Sequence, residues 1–363
     1  MASTPKRVLV IGGTGAQGMH VVPAILKPGD DGIPTPYSVR VLTRDPMSRR
    51  AQELTRRGVE CVQGRFDNPR DVAAAMEDCY AVFVNTDTYT VGARRELFSA
   101  IKIYEAARRT ATMRHLIWSG LDYGLKLGNY ATRYKTEHHD AKGAFYEILR
   151  SQPSSDDVDG LAWTAISSGV YMEMLNYPLC GPLTRRADGT CVFASPIGDG
   201  RMPMIALDDL GWWARYVLDN RATTSGAELR IASAIIGWDD LVETFSRVTG
   251  QPAVHVRLSI EEWLACFFGK ERPIANEERS AANAENPTTT TIAESFSGFW
   301  SLWRDGLVKR DMEWVRSVHP GTKSLEMWMR ETGYSGKIGS TALKNAEDGK
   351  ARLIPNAGVT AAL

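Results

Sequence analysis

The chain has 363 residues, 43% of them apolar, and its 43 basic side chains balance 43 acidic ones. Zero formal net charge without a dense Lys/Arg run argues against nucleic acid, which needs a basic footprint. No apolar run approaches a membrane span, and the scattered Cys61, Cys79, Cys180, Cys191 and Cys266, with no C-x-x-C, read as reduced thiols of a cytosolic protein.

The N-terminal "MASTPKRVLVIGG" runs straight into a strand pattern, so no signal peptide is expected. "RVLVIG" is a strand and "AQGMHVVPAILK" a helix that Pro23 should bend. Strand "YSVRVLTR", helix "PMSRRAQELTRRG", strand "VECVQG", helix "PRDVAAAMEDC", strand "AVFVNT", helix "GARRELFSAIKIYEAARRT" and strand "HLIWSG" follow. Strands alternating with helices predict right-handed βαβ units around a parallel sheet covered on both faces. The apolar residues of "HHDAKGAFYEILRSQ" recur at helical spacing, and "SQPSSDDVDG" is a loop. "LAWTAISSG" is a sixth strand that leads into "VYMEMLNYPLCGPL". "RMPMIALDDLGWWARYVLDN" contains a helix capped by Asp208 or Asp209, and "AELRIAS" is another strand of the sheet. "GWDDLVETFSRVTGQPAVHVRLSIEEWLACFFG" reads as helix, short strand, helix; the polar "KERPIANEERSAANAENPTTTT" reads as a mobile loop or irregular helix. Aromatic helices return at "SFSGFWSLWRDGLV", "DMEWVRSV" and "SLEMWMRETGY", and the last residues look like a frayed tail.

Gly12, Gly15 and Gly18 in "VLVIGGTGAQGMHVV" stand between a strand and a helix. That is where a tight turn, close approach to a pyrophosphate and close helix–strand packing each ask for glycine. The helix N-terminus adds N–H donors and a positive dipole end for the anion. The second strand ends in "VLTRD", so Arg44 precedes Asp45. Arg44 can fork onto a 2′-phosphate and stack on adenine, which points to NADP(H). Asp45 keeps dual specificity open, since an acid there serves the ribose of NAD. No metal is expected, because the six histidines form no ligand-spaced cluster beyond adjacent His138 and His139.

The loop "GGTGAQG", the strand end "VLTRDP", "HLIWSGLD", the helix "DAKGAFYEIL", "PMIALDDLGWWARYVLD", "LVETFSRVTGQPAVHVRLSIEEW" and "LEMWMRETGYSG" follow one another as an ordered series. The series resembles the NmrA-like family of atypical short-chain dehydrogenase/reductases over nearly the whole chain. The resemblance implies an α/β fold, a Rossmann-type doubly wound parallel sheet with a smaller, mostly helical C-terminal substrate part. On this reading residues 1–170 form the dinucleotide-binding domain, with a later strand from about 227–233; residues 171–338 form a mixed substrate and lid part, and 339–363 a tail. It also implies that Gly12, Thr14, Gly15, Gln17 and Gly18 line the pyrophosphate, that Arg44 takes the 2′-phosphate, and that Asn85 and Thr86 face the adenosine and ribose. Ser119 and Gly120 would sit near the nicotinamide, Lys142 would bond its ribose, and Tyr171, Met172 and Met174 would contact the substrate. Two positions depart from the family pattern: Arg65 replaces a usual acid and is either charge near adenine or solvated, and Ser168 replaces a common proline.

Ordinary short-chain reductases pair a tyrosine with a lysine four residues later, the tyrosine handing over the proton. Here the residue four before Lys142 is His138, which titrates near neutrality and is either the proton donor or a solvated side chain. Tyr130, Tyr134 and Tyr171 are the substitutes, and Ser119 stands beside the same chemistry. The preferred expectation is an NADPH-dependent reductase of a carbonyl or imine/iminium carbon in a bulky hydrophobic molecule, as in natural-product tailoring. The alternative is a dinucleotide-bound redox sensor without dehydrogenase activity that acts through a protein partner. A small-molecule substrate, no nucleic acid and no membrane are expected, and a homodimer stays open.

Overall fold

The computed structural model describes residues 4–29, 31–279, 289–339, 342, 343, 347 and 353–363. The chain divides into two compact units. The first comprises Met1–Leu121, Ala141–Ser167 and Leu210–Leu229; the second comprises Asp122–Asp140, Ser168–Asp209 and Arg230–Leu363. The units are interleaved, and a boundary near residue 170 is one of several crossings, between Ser167 and Ser168.

The first unit is built on β1 (Lys6–Ile11), β2 (Tyr37–Thr43), β3 (Glu60–Gln63), β4 (Ala81–Val84), β5 (His115–Gly120) and β6 (Ala162–Ser167), with later β11 (Glu228–Arg230). They form one seven-stranded sheet in the order β11-β6-β5-β4-β1-β2-β3. Pairing is parallel from β3 through β6, with Val8 opposite Val39 on one side and Ala81 on the other. Val8 to Ile11 of β1 and every residue of β4, β5 and β6 are buried, as continuous apolar runs must be when helices cover both faces. The crossovers run through α1 (Gly18–Leu26), α2 (Arg49–Arg56), α3 (Pro69–Met76), the short α4 (Thr88–Val91) and α5 (Ala93–Arg109). Pro23 lies inside α1, which continues through it; Asn68 caps α3 on the N–H of Arg70, with proline following at its first position. The strand order turns back on itself between β1 and β4, which opens a crevice outside the carboxyl ends of those strands.

In the second unit β7 (Val170–Tyr171), β10 (Met202–Ile205) and β12 (Ala234–Ile236) make one three-stranded sheet. A second is made by β8 (Thr184–Arg185), β9 (Cys191–Ser195) and β13 (Ala253–Arg257). Its helices include α6 (Gly124–Leu127), α10 (Trp238–Thr249), α11 (Ile260–Ala265), α12 (Asn276–Arg279), α13 (Ile292–Arg304), α14 (Met312–Val318) and α15 (Leu325–Thr332). Two helices, α7 (Glu137–Leu149) and α8 (Leu207–Asp219), begin in the second unit and end in the first. Ser259 and Thr291 close capping boxes with Glu262 and Glu294, fixing where α11 and α13 begin. Asp208 and Asp209 stand inside the first turn of α8 rather than capping it, where the helix dipole still favours them. Most of the tryptophans are core: Trp118, Trp213, Trp238, Trp263, Trp300, Trp303 and Trp328 are fully buried.

Two expectations are revised. Of the segment read as a mobile loop, 280–288 lies outside the described residues, but Thr289 and Thr290 are anchored, their hydroxyls donating to the Glu137 carboxylate. The frayed tail is corrected in part: β15 (Ile354–Pro355) pairs antiparallel with β14 (Phe267–Phe268), and Arg186 donates to the carbonyl of Leu363. Backbone pairing, which tail composition does not reveal, holds these residues.

Candidate functional site

The phosphate-type loop leaves β1 at Gly12, whose φ of +84° is the left-handed region that favours glycine. A Cβ there would stand 2.5 Å from the carbonyl oxygen of Asn85, at the end of β4. Gly18 serves packing, since a Cβ would lie 2.3 Å from the backbone of Gly13. Gly13, not singled out in the motif, fits against the Val41 side chain, 2.6 Å from its ideal Cβ. Gly15 differs from these: its ideal Cβ meets only the Gly12 carbonyl, at 3.1 Å. The fold itself thus makes its tightest demands at Gly12, Gly13 and Gly18, and leaves the space before Gly15 for an anion at the N-terminus of α1.

Arg44 is exposed directly after β2, and its side chain bonds no other side chain or carbonyl among the described residues. Asp45 is exposed and caps a local turn: its carboxylate accepts the Met47 N–H at 2.8 Å and its carbonyl accepts the Ser48 hydroxyl at 2.8 Å. An arginine not anticipated from the sequence, Arg50 on α2, is buried and donates to the Thr14 carbonyl at 3.1 Å, bracing the loop from behind. Arg65 forks onto Asp67 at 2.8 and 3.0 Å, and Arg95 reaches the same carboxylate at 2.5 Å. Burial alone would raise the Asp67 carboxyl, but the two guanidinium groups outweigh it and hold it below the usual range. Arg65 is therefore ion-paired within the protein, sharing the single Asp67 carboxylate with Arg95. Asn85 is half-buried and donates its N–H to Ile11 at 3.2 Å, locking the ends of β4 and β1 together.

Two groups assigned to the nicotinamide side are committed inside the first unit. Ser119 is fully buried and donates to the Gln17 side chain at 2.6 Å. Lys142, also buried, gives its ammonium hydrogens to the Thr86 carbonyl at 2.8 Å, the Thr86 hydroxyl at 3.1 Å and Glu96 at 2.6 Å. Glu96, in the first turn of α5, is 1% exposed and further accepts the hydroxyls of Thr86 and Thr88. An ammonium has three hydrogens, so this set uses them all. The Trp118 ring lies 5.5 Å from the same nitrogen.

The second unit holds His138, which is buried rather than solvated. Its ring lies 4.8 Å from that of His139 and 6.1 Å from that of Phe299. His139 Nδ1 is 3.2 Å from the Asp122 carbonyl, and its ring is 5.6 Å from Trp303. His138 and Lys142, one turn apart on α7, thus work in different surroundings, one among aromatic rings and the other against Glu96. Of the tyrosines, Tyr134 donates to Asp305 at 2.8 Å, Tyr130 is exposed and Tyr171 is half-buried in β7. Met172 is buried and Met174 is half-buried. Arg310, between α13 and α14, is another residue the sequence did not signal. It pairs with Asp122 at 2.6 and 2.9 Å and also donates to the carbonyls of Ser168 and Ile231, both at 3.0 Å. Among the described residues, no three His, Cys, Asp or Glu side chains group as a metal site, and no helix is long and apolar enough to cross a membrane.

A Rossmann sheet with a glycine loop at its switch point defines the class, and the family is more specific. The chain belongs to the NmrA-like family, whose model matches residues 4–301. The NmrA-like family domain-containing oxidoreductase malD of Malbranchea aurantiaca is 28% identical over 274 residues, covering 70% of this chain and 76% of the relative. The negative transcriptional regulator Nmra, solved in complex with NADP, superposes with a TM-score of 0.67 at 17% identity, covering 91% of this chain and 95% of that one. The Citrobacter sp. triphenylmethane reductase complexed with NADP(H) gives 0.63 at 15% identity, over 90% and 99%.

Proposed function

We propose that the protein is an NADPH-dependent oxidoreductase that reduces a carbonyl or imine/iminium carbon of a bulky hydrophobic small molecule, as in a natural-product tailoring step. The observation that carries the cofactor choice is Arg44, exposed at the end of β2, with one oxygen of the following Asp45 carboxylate accepting the Met47 N–H. The open space before Gly15 and the N-terminus of α1 suit a pyrophosphate, so the residues present fit a dinucleotide. Bound NADPH would supply hydride to the acceptor carbon. The chain would supply the matching proton to the oxygen or nitrogen, and His138, an imidazole one turn from Lys142 on α7, is the candidate for it. Tyr171, Met172 and Met174 are the candidates for substrate contact. Relatives named as oxidoreductases, including malD, support the activity. We place the protein in the cytosol, acting on a small molecule.

A second reading is favoured by the commitment of Lys142 and Ser119 to internal partners, and by the likeness to Nmra: a dinucleotide-bound sensor that acts through a protein partner. Calorimetry with NADPH and NADH tests the cofactor choice. NADPH should bind at least about tenfold tighter, or about 1.4 kcal/mol, and Arg44→Ala should erase the difference. Equal affinities in the wild type would remove Arg44 from the argument. Loss of NADPH absorbance with aromatic ketones and cyclic imines then tests the activity. His138→Ala should lower kcat roughly 10²–10⁴-fold at unchanged NADPH affinity. No turnover on any of them, together with cofactor-dependent binding of a protein partner, would favour the sensor.

A further inference from the structure

We propose that Glu96 is a positioning residue for the dinucleotide: it fixes Lys142 and the segment after β4 in the conformation that receives the ribose. The inference rests on the dinucleotide reading above but not on any substrate. Glu96 and Lys142 come from α5 and α7, 46 residues apart, and meet with side chains 1% and 9% exposed. Between them stands Thr86, whose hydroxyl donates to Glu96 at 2.5 Å while its carbonyl and hydroxyl both accept from Lys142. Thr88 adds a second hydroxyl to the other carboxylate oxygen. Two side chains, one from α5 and one from α7, therefore pin residues 86 and 88, with their two charges cancelling.

What they pin touches the cofactor loop directly. Asn85, the residue before Thr86, has its carbonyl oxygen 2.5 Å from where a Gly12 Cβ would be, and its N–H bonded to Ile11. With that little clearance, any shift of residue 85 is felt at the tight turn that opens the pyrophosphate loop. The chain of contact runs from Glu96 through Lys142 and Thr86 to Asn85 and Gly12, and every link lies within the first unit.

The test is NADPH affinity measured by calorimetry on the full chain beside thermal stability, for Glu96→Gln, Lys142→Met, their double substitution and Thr86→Val. Each single change at the ion pair leaves the other charge buried alone, so both should lower the melting temperature. The double variant has no orphaned charge and should recover most of the lost stability. Its NADPH affinity should nevertheless stay at least about tenfold weaker than wild type, because Thr86 is no longer held from below. Thr86→Val, which keeps the shape and both charges, should also weaken NADPH binding. Should the single variants fail to fold, these last two decide. Affinity that returns together with stability in the double variant would reduce the network to simple structural support and overturn the proposal. So would tighter NADPH binding by Glu96→Gln, which would mean that Glu96 holds Lys142 away from the cofactor. A wild type that binds neither NADPH nor NADH would instead sink the dinucleotide reading itself.

Discussion

Each unit contains a buried ion pair, and the two do different work. In the first unit Lys142 and Glu96 meet under the loop at the end of β4, beside the glycine turn. In the second, Arg310 and Asp122 meet with 0% and 5% of their side chains exposed, and the arginine adds the carbonyls of Ser168 and Ile231. Asp122 and Ser168 open two of that unit's segments, and Ile231 is the second residue of the third. One pair shapes a loop for a ligand; the other fastens the places where the chain enters a unit. Burial of opposite charges is costly in either setting, so the pairing alone does not reveal purpose. The neighbours reveal it.

The largest effect that would sharpen this contrast is at Arg310. Arg310→Met should destabilise the protein by about 3–5 kcal/mol, because Asp122 is left as an uncompensated buried charge. NADPH affinity of the folded protein should stay within about twofold of wild type, as expected for independent sites. Chemical denaturation with calorimetry reads both, and a matching collapse of affinity would break the distinction between the pairs.

Acid provides the next contrast. His115 in β5 is wholly buried; desolvation, with Arg221 nearby, pushes its pKa down to about 3. Its Nε2 lies 2.8 Å from the Thr164 hydroxyl. Unfolded histidine titrates near 6.5, so between about 6.5 and about 3 the unfolded chain binds a proton that the native one does not. Stability should therefore fall as pH is lowered through that window, by up to about 1.4 kcal/mol per pH unit. His115→Phe should flatten this limb in urea titrations at successive pH values. An unchanged slope would show that other groups carry it.

The smallest effect separates two glycines of the first unit. Gly18→Ala should cost about 1–3 kcal/mol by overpacking against Gly13. Gly15→Val should fold nearly as well as wild type and lose dinucleotide binding, since its side chain would fill the space left for the pyrophosphate. The opposite pattern in melting and calorimetry would reverse the roles given to the two positions.

Local patterns carried most of the fold into the sequence. The run of Val8 to Ile11, the glycines after it and the alternation of strands and helices through β6 are all short-range signals, and each has its counterpart in the structure. The ion pairs are not short-range. Glu96 lies in "ARRELFSAIKIYEAARR", where an acid among arginines reads as a solvated face, and its partner is 46 residues away. Asp122 and Arg310 are 188 residues apart and belong to no periodic pattern. On α7 the helical spacing of Ala141, Phe145, Ile148 and Leu149 points to an apolar buried face, yet Ile148 is 36% exposed while His138, His139 and Lys142 are buried. Specific partners there outweigh hydropathy. Arg44 was legible because what matters is its place at a strand end, which sequence order fixes.

The reach of Arg310 has a consequence for how the polypeptide is made and cut. Synthesis from the N-terminus delivers the last strand of the seven-stranded sheet by Arg230, whereas the arginine that fastens Asp122, Ser168 and Ile231 is still to come. A nascent chain released between those points would own every strand of the sheet and lack the side chain that closes three of its exits. Because each unit is drawn from three separate stretches of chain, no single proteolytic cut can free one unit whole.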